Sequence, residues 1–253
     1  MILAAASPLA QAYADKCNAL VMSGGGSNGA WEIGVIYGLV HNGNPADFAW
    51  DYLTGISAGS INTAGLVGWA VGDEVNATEW LSETFNGLHN SDIWREWPEG
   101  IEKSVFGRPS LLDDSPALAF LEGLLAQPQF SEGFKRPFTM AAENVENGEY
   151  TLFNQDNITF GPELAAAALS SSSIPTVFPP RPFKGTYFMD GGTTWNVNIA
   201  SAIHGCLDIV GGDYSKITVD VLICSASDLP SVETDTGSVI ENLLRRRAIH
   251  TYY

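Results

Sequence analysis

Asp51-Tyr52-Leu53-Thr54-Gly55-Ile56-Ser57-Ala58-Gly59-Ser60-Ile61-Asn62 passes from an apolar, strand-like run into a segment with helical spacing, continued by Leu66, Val67 and Trp69. Its pivot is Ser57, with Gly55 two residues before and Gly59 two residues after. A tight strand-to-helix turn strains the backbone of the residue at its tip, and glycine flanks avoid the clashes that follow. Such a turn aims the hydroxyl, and a nearby base then makes it a nucleophile. In a chain with 26 glycines the five-residue pattern also arises by chance, so its weight depends on the company it keeps. Ser60, Ile61 and Asn62 are expected to open the helix, with its N-terminal dipole facing the site.

The second feature lies upstream. Ser23-Gly24-Gly25-Gly26-Ser27-Asn28-Gly29 follows the apolar run 19–22 and precedes helical spacing at Ile33, Val35, Ile36, Leu39 and Val40. Consecutive glycines leave backbone N–H groups bare, and such groups stabilise the oxyanion formed when a serine attacks an ester carbonyl. Gly24, Gly26 and Gly29 also satisfy Gly-x-Gly-x-x-Gly, the dinucleotide fingerprint. That reading wants an acidic residue at the end of the next strand. Here Asp47 and Asp51 precede that strand, and the turn around Ser57 takes the position after it. A purely structural glycine turn is the other alternative.

A third feature is Tyr187-Phe188-Met189-Asp190-Gly191-Gly192, an apolar strand ending on a carboxylate in a glycine turn. An aspartate so held can take the serine proton as general base and return it to the leaving alcohol. Asp-Gly-Gly is also an ordinary turn signal.

In this order, the glycine loop, the Gly-x-Ser-x-Gly elbow and the Asp-Gly-Gly turn resemble the patatin-like phospholipase family. The segment from Ser172 through Pro180 and the asparagines Asn196 and Asn198 are similar to the family's flanking patterns. The resemblance covers roughly residues 19–224. It implies a three-layer α/β/α sandwich with a mostly parallel central sheet, and a Ser-Asp dyad that cleaves acyl esters of lipids without histidine. Carried over, Ser57 is the nucleophile, Asp190 its base, and Gly24, Gly25 and Gly26 the oxyanion hole, with Gly29, Gly55, Gly59, Gly191 and Gly192 as motif glycines. One position departs: the family's loop usually carries Arg or Lys where this chain has Asn28. A neutral amide cannot replace a cation against a lipid phosphate, so galactolipids, neutral glycerides and simple esters stand beside phospholipids as substrates.

Two other readings accommodate the same residues. A Ser-His-Asp triad in α/β-hydrolase order would use Ser57, Asp190 and either His204 or His250. A catalytically silent lipid-binding or interaction protein would keep the fold without the activity.

The rest of the chain sets the frame. Apolar strands at 19–22, 51–55, 138–142, 149–153, 187–189 and 217–224 alternate with helical stretches at 30–41, 61–69, 78–88, 115–125 and 162–169, which argues for an α/β layered fold. The β-branched run 217–224 fits a central strand. Between 90 and 112 the regular pattern lapses, and Trp94, Trp97 and Phe106 are interleaved with Pro98, Gly100, Gly107 and Pro109. That segment reads as a cap over an acyl pocket or as a packed loop filling the core edge.

Twenty-nine acidic against 12 basic residues give a net charge of −17, which repels nucleic acid and anionic bilayers. The expected partners are a lipid or other acyl-ester substrate and, transiently, a membrane or micelle surface. The basic run Arg245-Arg246-Arg247 reads as a solvated helix face or a docking patch. Residues 1–12 carry no charge and end in Ala10-Gln11-Ala12, a signal-peptidase-like pattern, so they read as a signal remnant or an ordinary N-terminal extension before one domain over 13–253. The sequons Asn76-Ala77-Thr78 and Asn157-Ile158-Thr159 add to an expectation of secretion or an endomembrane lumen, with the cytoplasm as alternative. The chain ends without a helix stop signal, so a longer protein is expected to continue past Tyr253. Of Cys17, Cys206 and Cys224, two can pair and one is left over. Cysteines and histidines are scattered without metal-ligand spacing, and a Ser-Asp dyad requires neither metal nor cofactor.

Overall fold

The computed structural model describes residues 13–224 and the positions 238, 241, 242, 245, 246 and 249. The 1–12 segment, Arg247 and His250 lie outside the described residues. Strand β1 (Cys17–Met22) leads through the glycine turn into helix α1 (Gly29–Asn42), and β2 (Tyr52–Gly55) leads into α2 (Ala58–Leu66). Then come α3 (Glu74–Asn86), α4 (Asn90–Ile93), β3 (Arg95–Glu96), α5 (Ile101–Gly107), β4 (Leu112–Asp113) and α6 (Ser115–Leu125). The second half contains β5 (Phe138–Asn144), β6 (Tyr150–Phe153), α7 (Pro162–Ser171), β7 (Arg181–Phe183), β8 (Thr186–Asp190), α8 (Ile199–Val210) and β9 (Ile217–Leu222).

The main sheet has seven strands in the order β7-β8-β5-β2-β1-β9, with β6 also paired to β5. β5, β2, β1 and β9 are mutually parallel. β6 and β8 run antiparallel to β5, and β7 antiparallel to β8, so the sheet is mixed but mostly parallel. Helices cover both faces because β1 alternates. Cys17, Ala19 and Val21 join Tyr52 against Ala202, Cys206 and Val210 of α8. Leu20 and Met22 point the other way, into the larger cluster with Ile33 and Ile36 of α1, Leu66 of α2 and Leu164 of α7. The result is the α/β/α layering. A disulfide joins Cys17 to Cys206, stapling β1 to α8, and Cys224 is the buried thiol left over.

The strand β9 differs from expectation. It lies at the end of the strand path and pairs with β1 alone among the described residues, rather than sitting centrally. β-branched residues suit any half-buried pleated surface, and here Ile217, Val219 and Val221 pack toward α8 from the edge. The short strand β7, preceded by Pro179 and Pro180 and containing Pro182, carries no periodic signal. Segment 90–112 is also more regular than its sequence suggests, since α4, β3, α5 and β4 all fall within or at its end.

Candidate active site

β2 and β8 use the same edge of β5. Gly55 is registered with Met140 and Asp190 with Ala142, while β6 pairs with both of these β5 residues from the opposite edge. Because β2 is parallel to β5 and β8 antiparallel, their last residues converge. The chain leaves β2 through Ser57, whose φ of 53° and ψ of −121° lie in a region that non-glycine residues rarely adopt. A Cβ on Gly55 would stand 2.1 Å from Gly59 O, and one on Gly59 would stand 2.4 Å from Met22 O. The helix start thus crosses the strands so closely that both flanks must be glycine.

Ser57 occupies the N-cap position of α2, which begins at Ala58, two residues earlier than the spacing suggested. Its hydroxyl does not cap the helix, because it is turned to the carboxylate: Ser57 Oγ donates to Asp190 Oδ2 at 2.7 Å. Both side chains are buried. Asp190 Oδ1 accepts the Gly192 N–H at 2.7 Å, and the Asp190 N–H donates to Ser173 O at 2.9 Å. The carboxylate is therefore oriented by its own turn and by the chain end of α7.

A residue that motif reading missed supports the elbow. Ser171 Oγ accepts the Ser57 N–H at 2.9 Å and lies 2.7 Å from Ser60 Oγ, which is itself 2.8 Å from Gly55 O. A hydroxyl has one proton, so with Ser60 donating to Gly55 O, Ser171 donates to Ser60 Oγ. The strained turn is thus tied at both ends to one buried side chain of α7. The only sequence signal was the run Ser170-Ser171-Ser172-Ser173 at a helix end.

Of the three loop glycines, Gly24 is engaged elsewhere. Its N–H donates to Asn196 O at 3.2 Å, and Asn196 Nδ2 donates back to Gly24 O at 2.9 Å. The N–H groups of Gly25 and Gly26 meet no acceptor among the described residues, and Gly26 lines the cavity beside Ser57. Gly29 begins α1, where a Cβ would come within 3.0 Å of Ala58 Cβ, so the starts of α1 and α2 touch. Asn28 is exposed at the loop tip, its amide 3.5 Å from Cys224 O.

Ser57 opens into a cavity of about 550 Å³ walled largely by apolar side chains, among them Ile61, Trp80, Leu81, Leu121 and Leu125. This is the size and character of a site for a hydrocarbon-rich ligand. Ile93, Trp94 and Leu112 of segment 90–112 line it, so that segment forms part of the cavity wall. Phe106 of the same segment does the opposite of filling the core edge and stands in solvent.

Beneath the loop and the elbow sits Glu32 of α1, fully buried. Burial pushes its carboxyl up to about 7, against the opposing hydrogen bonds from its neighbours. Asn62 Nδ2 lies 2.9 Å from Glu32 Oε2 and 3.0 Å from Gly29 O, linking α1 to α2 directly under the site. Burial, with the Glu32 charge beside it, also pushes the Cys224 thiol up, so this cysteine is not a thiolate nucleophile.

His204 is exposed on α8, whose buried positions Ala202, Cys206 and Val210 face the sheet. Among the described residues no group of three His, Cys, Asp or Glu side chains is placed to hold a metal, and no helix is long and apolar enough to cross a membrane.

A strained serine elbow, a buried carboxylate in contact with it and a glycine loop thus meet beside an apolar cavity on an α/β/α scaffold. The sequence profile of the family described as Patatin-like phospholipase matches residues 20–203, and the chain belongs to this family of lipid acyl hydrolases. Among solved structures it is similar to VipD from Legionella pneumophila, at 15% identity and a TM-score of 0.42, over 82% of this chain and 50% of that one. It is also similar to a chain of the ExoU–SpcU complex of the type III secretion system of Pseudomonas aeruginosa, at 17% identity and a TM-score of 0.35, over 94% of this chain and 51% of that one. The chain thus spans about half the length of either. A search of curated proteins finds no match.

Proposed function

We propose that this chain hydrolyses acyl esters of lipids through a Ser57–Asp190 dyad. The observation that carries the reading is the 2.7 Å contact from Ser57 Oγ to Asp190 Oδ2, made by a serine held at φ 53°. Ser57 Oγ attacks the ester carbonyl as its proton passes to Asp190. The tetrahedral oxyanion is met by the N–H groups of Gly25 and Gly26. Collapse expels the alcohol, which takes the proton from Asp190, and water then releases the acyl group by the same route. The direct contact leaves no place for an imidazole between serine and carboxylate, and the exposed position of His204 also favours the dyad over a triad.

The acyl chain occupies the apolar cavity, and uncharged head groups are accepted because Asn28 offers no cation at the loop tip. The Cys17–Cys206 disulfide and the two sequons favour a secreted or lumenal setting. Fluorophosphonate labelling and a panel of lipid classes test the proposal. Native protein is expected to label and to hydrolyse at least one lipid ester, while Ser57→Ala does neither. Native protein that fails to label would sink the enzyme reading.

A further inference from the structure

Helix α5 buries almost nothing and exposes its apolar side chains along with Glu102 and Lys103. Its buried residue is Ser104, whose hydroxyl donates to Ile101 O at 2.6 Å, whereas Phe106 is 94% exposed, Val105 43% and Ile101 40%. A phenylalanine left in water forgoes most of the stabilisation that burying its ring would bring. The position of α5 in the chain gives this exposure a direction. It lies at the tip of the β3–β4 pair, in which Arg95 is registered with Asp113 and Glu96 with Leu112. Trp94, immediately before β3, and Leu112 of β4 line the Ser57 cavity. The cavity wall therefore continues outward into a tip that presents three apolar side chains.

The charges around this tip select the partner. Arg108 pairs with Glu99 and Arg95 with Asp113, while Glu102 and Lys103 offset each other in sign. No local excess of cations is left to attract phosphate, and the chain as a whole carries −17. We propose that Phe106, with Val105 and Ile101, inserts into the surface of a lipid aggregate without net charge and so seats the wall of the Ser57 cavity on its substrate layer. The inference rests on the reading of the chain as a lipid hydrolase and names the surface on which that site works.

Flotation with phosphatidylcholine vesicles tests it, using Ser57→Ala protein so that lipid is not consumed. This protein is expected to float with the vesicles, and adding Phe106→Asp is expected to lower its partition about tenfold or more, with Phe106→Leu retaining most of it. Replacing about one third of the lipid with phosphatidylserine is expected to weaken binding. In the otherwise native protein, Phe106→Asp is expected to leave hydrolysis of a soluble short-chain ester unchanged, which shows that the variant is folded. Flotation that is absent, or indifferent to Phe106→Asp, overturns the proposal, as does stronger binding to the anionic vesicles. A dimer in sedimentation that Phe106→Asp dissociates overturns it in favour of a second copy. Soluble-ester hydrolysis without flotation removes the docking surface alone, and Phe106-dependent flotation without hydrolysis removes the catalytic reading alone.

Discussion

Gly55 and Asp190 stand on the same edge of β5, paired with Met140 and Ala142, so that Ala141 alone separates the end of β2 from the end of β8. This head-to-head arrangement brings Ser57 and Asp190, 133 positions apart in sequence, into hydrogen-bond contact. The turn that follows Asp190 backs onto the intervening residue: a Cβ on Gly191 would lie 2.3 Å from Ala141 O. Backbone cannot yield there without moving the sheet. Gly191→Ala is therefore expected to destabilise the protein by about 1–3 kcal/mol and to lower kcat/KM at least about tenfold by displacing the carboxylate. Thermal unfolding and ester hydrolysis measured on the same sample check both.

If Asp190 is the base, Asp190→Asn keeps the shape of the site but removes proton acceptance. Its kcat is expected to fall by about 10³-fold or more. His204→Ala should stay within about twofold of native, with no imidazole step near pH 6.5 in either protein. A native inflection that vanishes in His204→Ala would return the triad to consideration.

Ser171 touches no substrate in the proposed mechanism and acts through the Ser57 backbone. Removing its hydroxyl leaves the Ser57 N–H and the Ser60 hydroxyl short of a buried partner, so Ser171→Ala is expected to cost about 1–3 kcal/mol of stability. Loss of elbow geometry is expected to show as a kcat roughly ten- to a hundredfold lower with KM little changed. A merely structural serine would lower Tm without that split.

Glu32 makes stability depend on pH. Its carboxyl is raised from 4.5 to about 7 in the folded state, so between these values the folded protein keeps a proton that the unfolded chain has released. Stability is then greatest below the unfolded value, declines as pH rises, and levels off above pH 7. The decline is of the order of 3 kcal/mol. Glu32→Gln is expected to flatten this part of the profile, read as the difference in Tm between pH 5 and pH 8. An unchanged slope would remove Glu32 as its source.

The Cys17–Cys206 bridge closes a loop with a sequence separation of 189. Loop-closure entropy puts its contribution at about 5 kcal/mol as an upper value, with about 2–4 typical. Cys17→Ala with Cys206→Ala is expected to lower the denaturation midpoint accordingly. Cys224→Ala, which breaks no bridge, is the comparison that separates loss of the crosslink from loss of a buried thiol.

Local sequence determined a good deal. The turn from strand to helix around Ser57, the glycine loop and the Asp-Gly-Gly turn each announce themselves within about ten residues, because backbone sterics restrict what can stand there. Alternating strands and helices gave the layered fold by the same local rules of periodicity. Elements whose role depends on neighbours were less legible. The strand β9 has the composition of a central strand but lies at the edge, because β-branched residues report a pleated surface and not its position in the sheet. The start of α2 carries no capping signal, because the serine in its N-cap position directs its hydroxyl to Asp190 instead of the helix.

Only tertiary structure decided which partners the motif residues take. Ser171 reaches the elbow from another helix, Asn196 O accepts the N–H of Gly24, and α5 turns Phe106 outward from a wall whose inner side lines the cavity. The sequence determined that a strained serine, a glycine loop and a carboxylate turn exist in this chain. Their convergence was decided by strand direction and register along β5, which depend on hydrogen bonds between segments as far apart in sequence as Gly55 and Met140 or Ala142 and Asp190 and leave no pattern within any one of them.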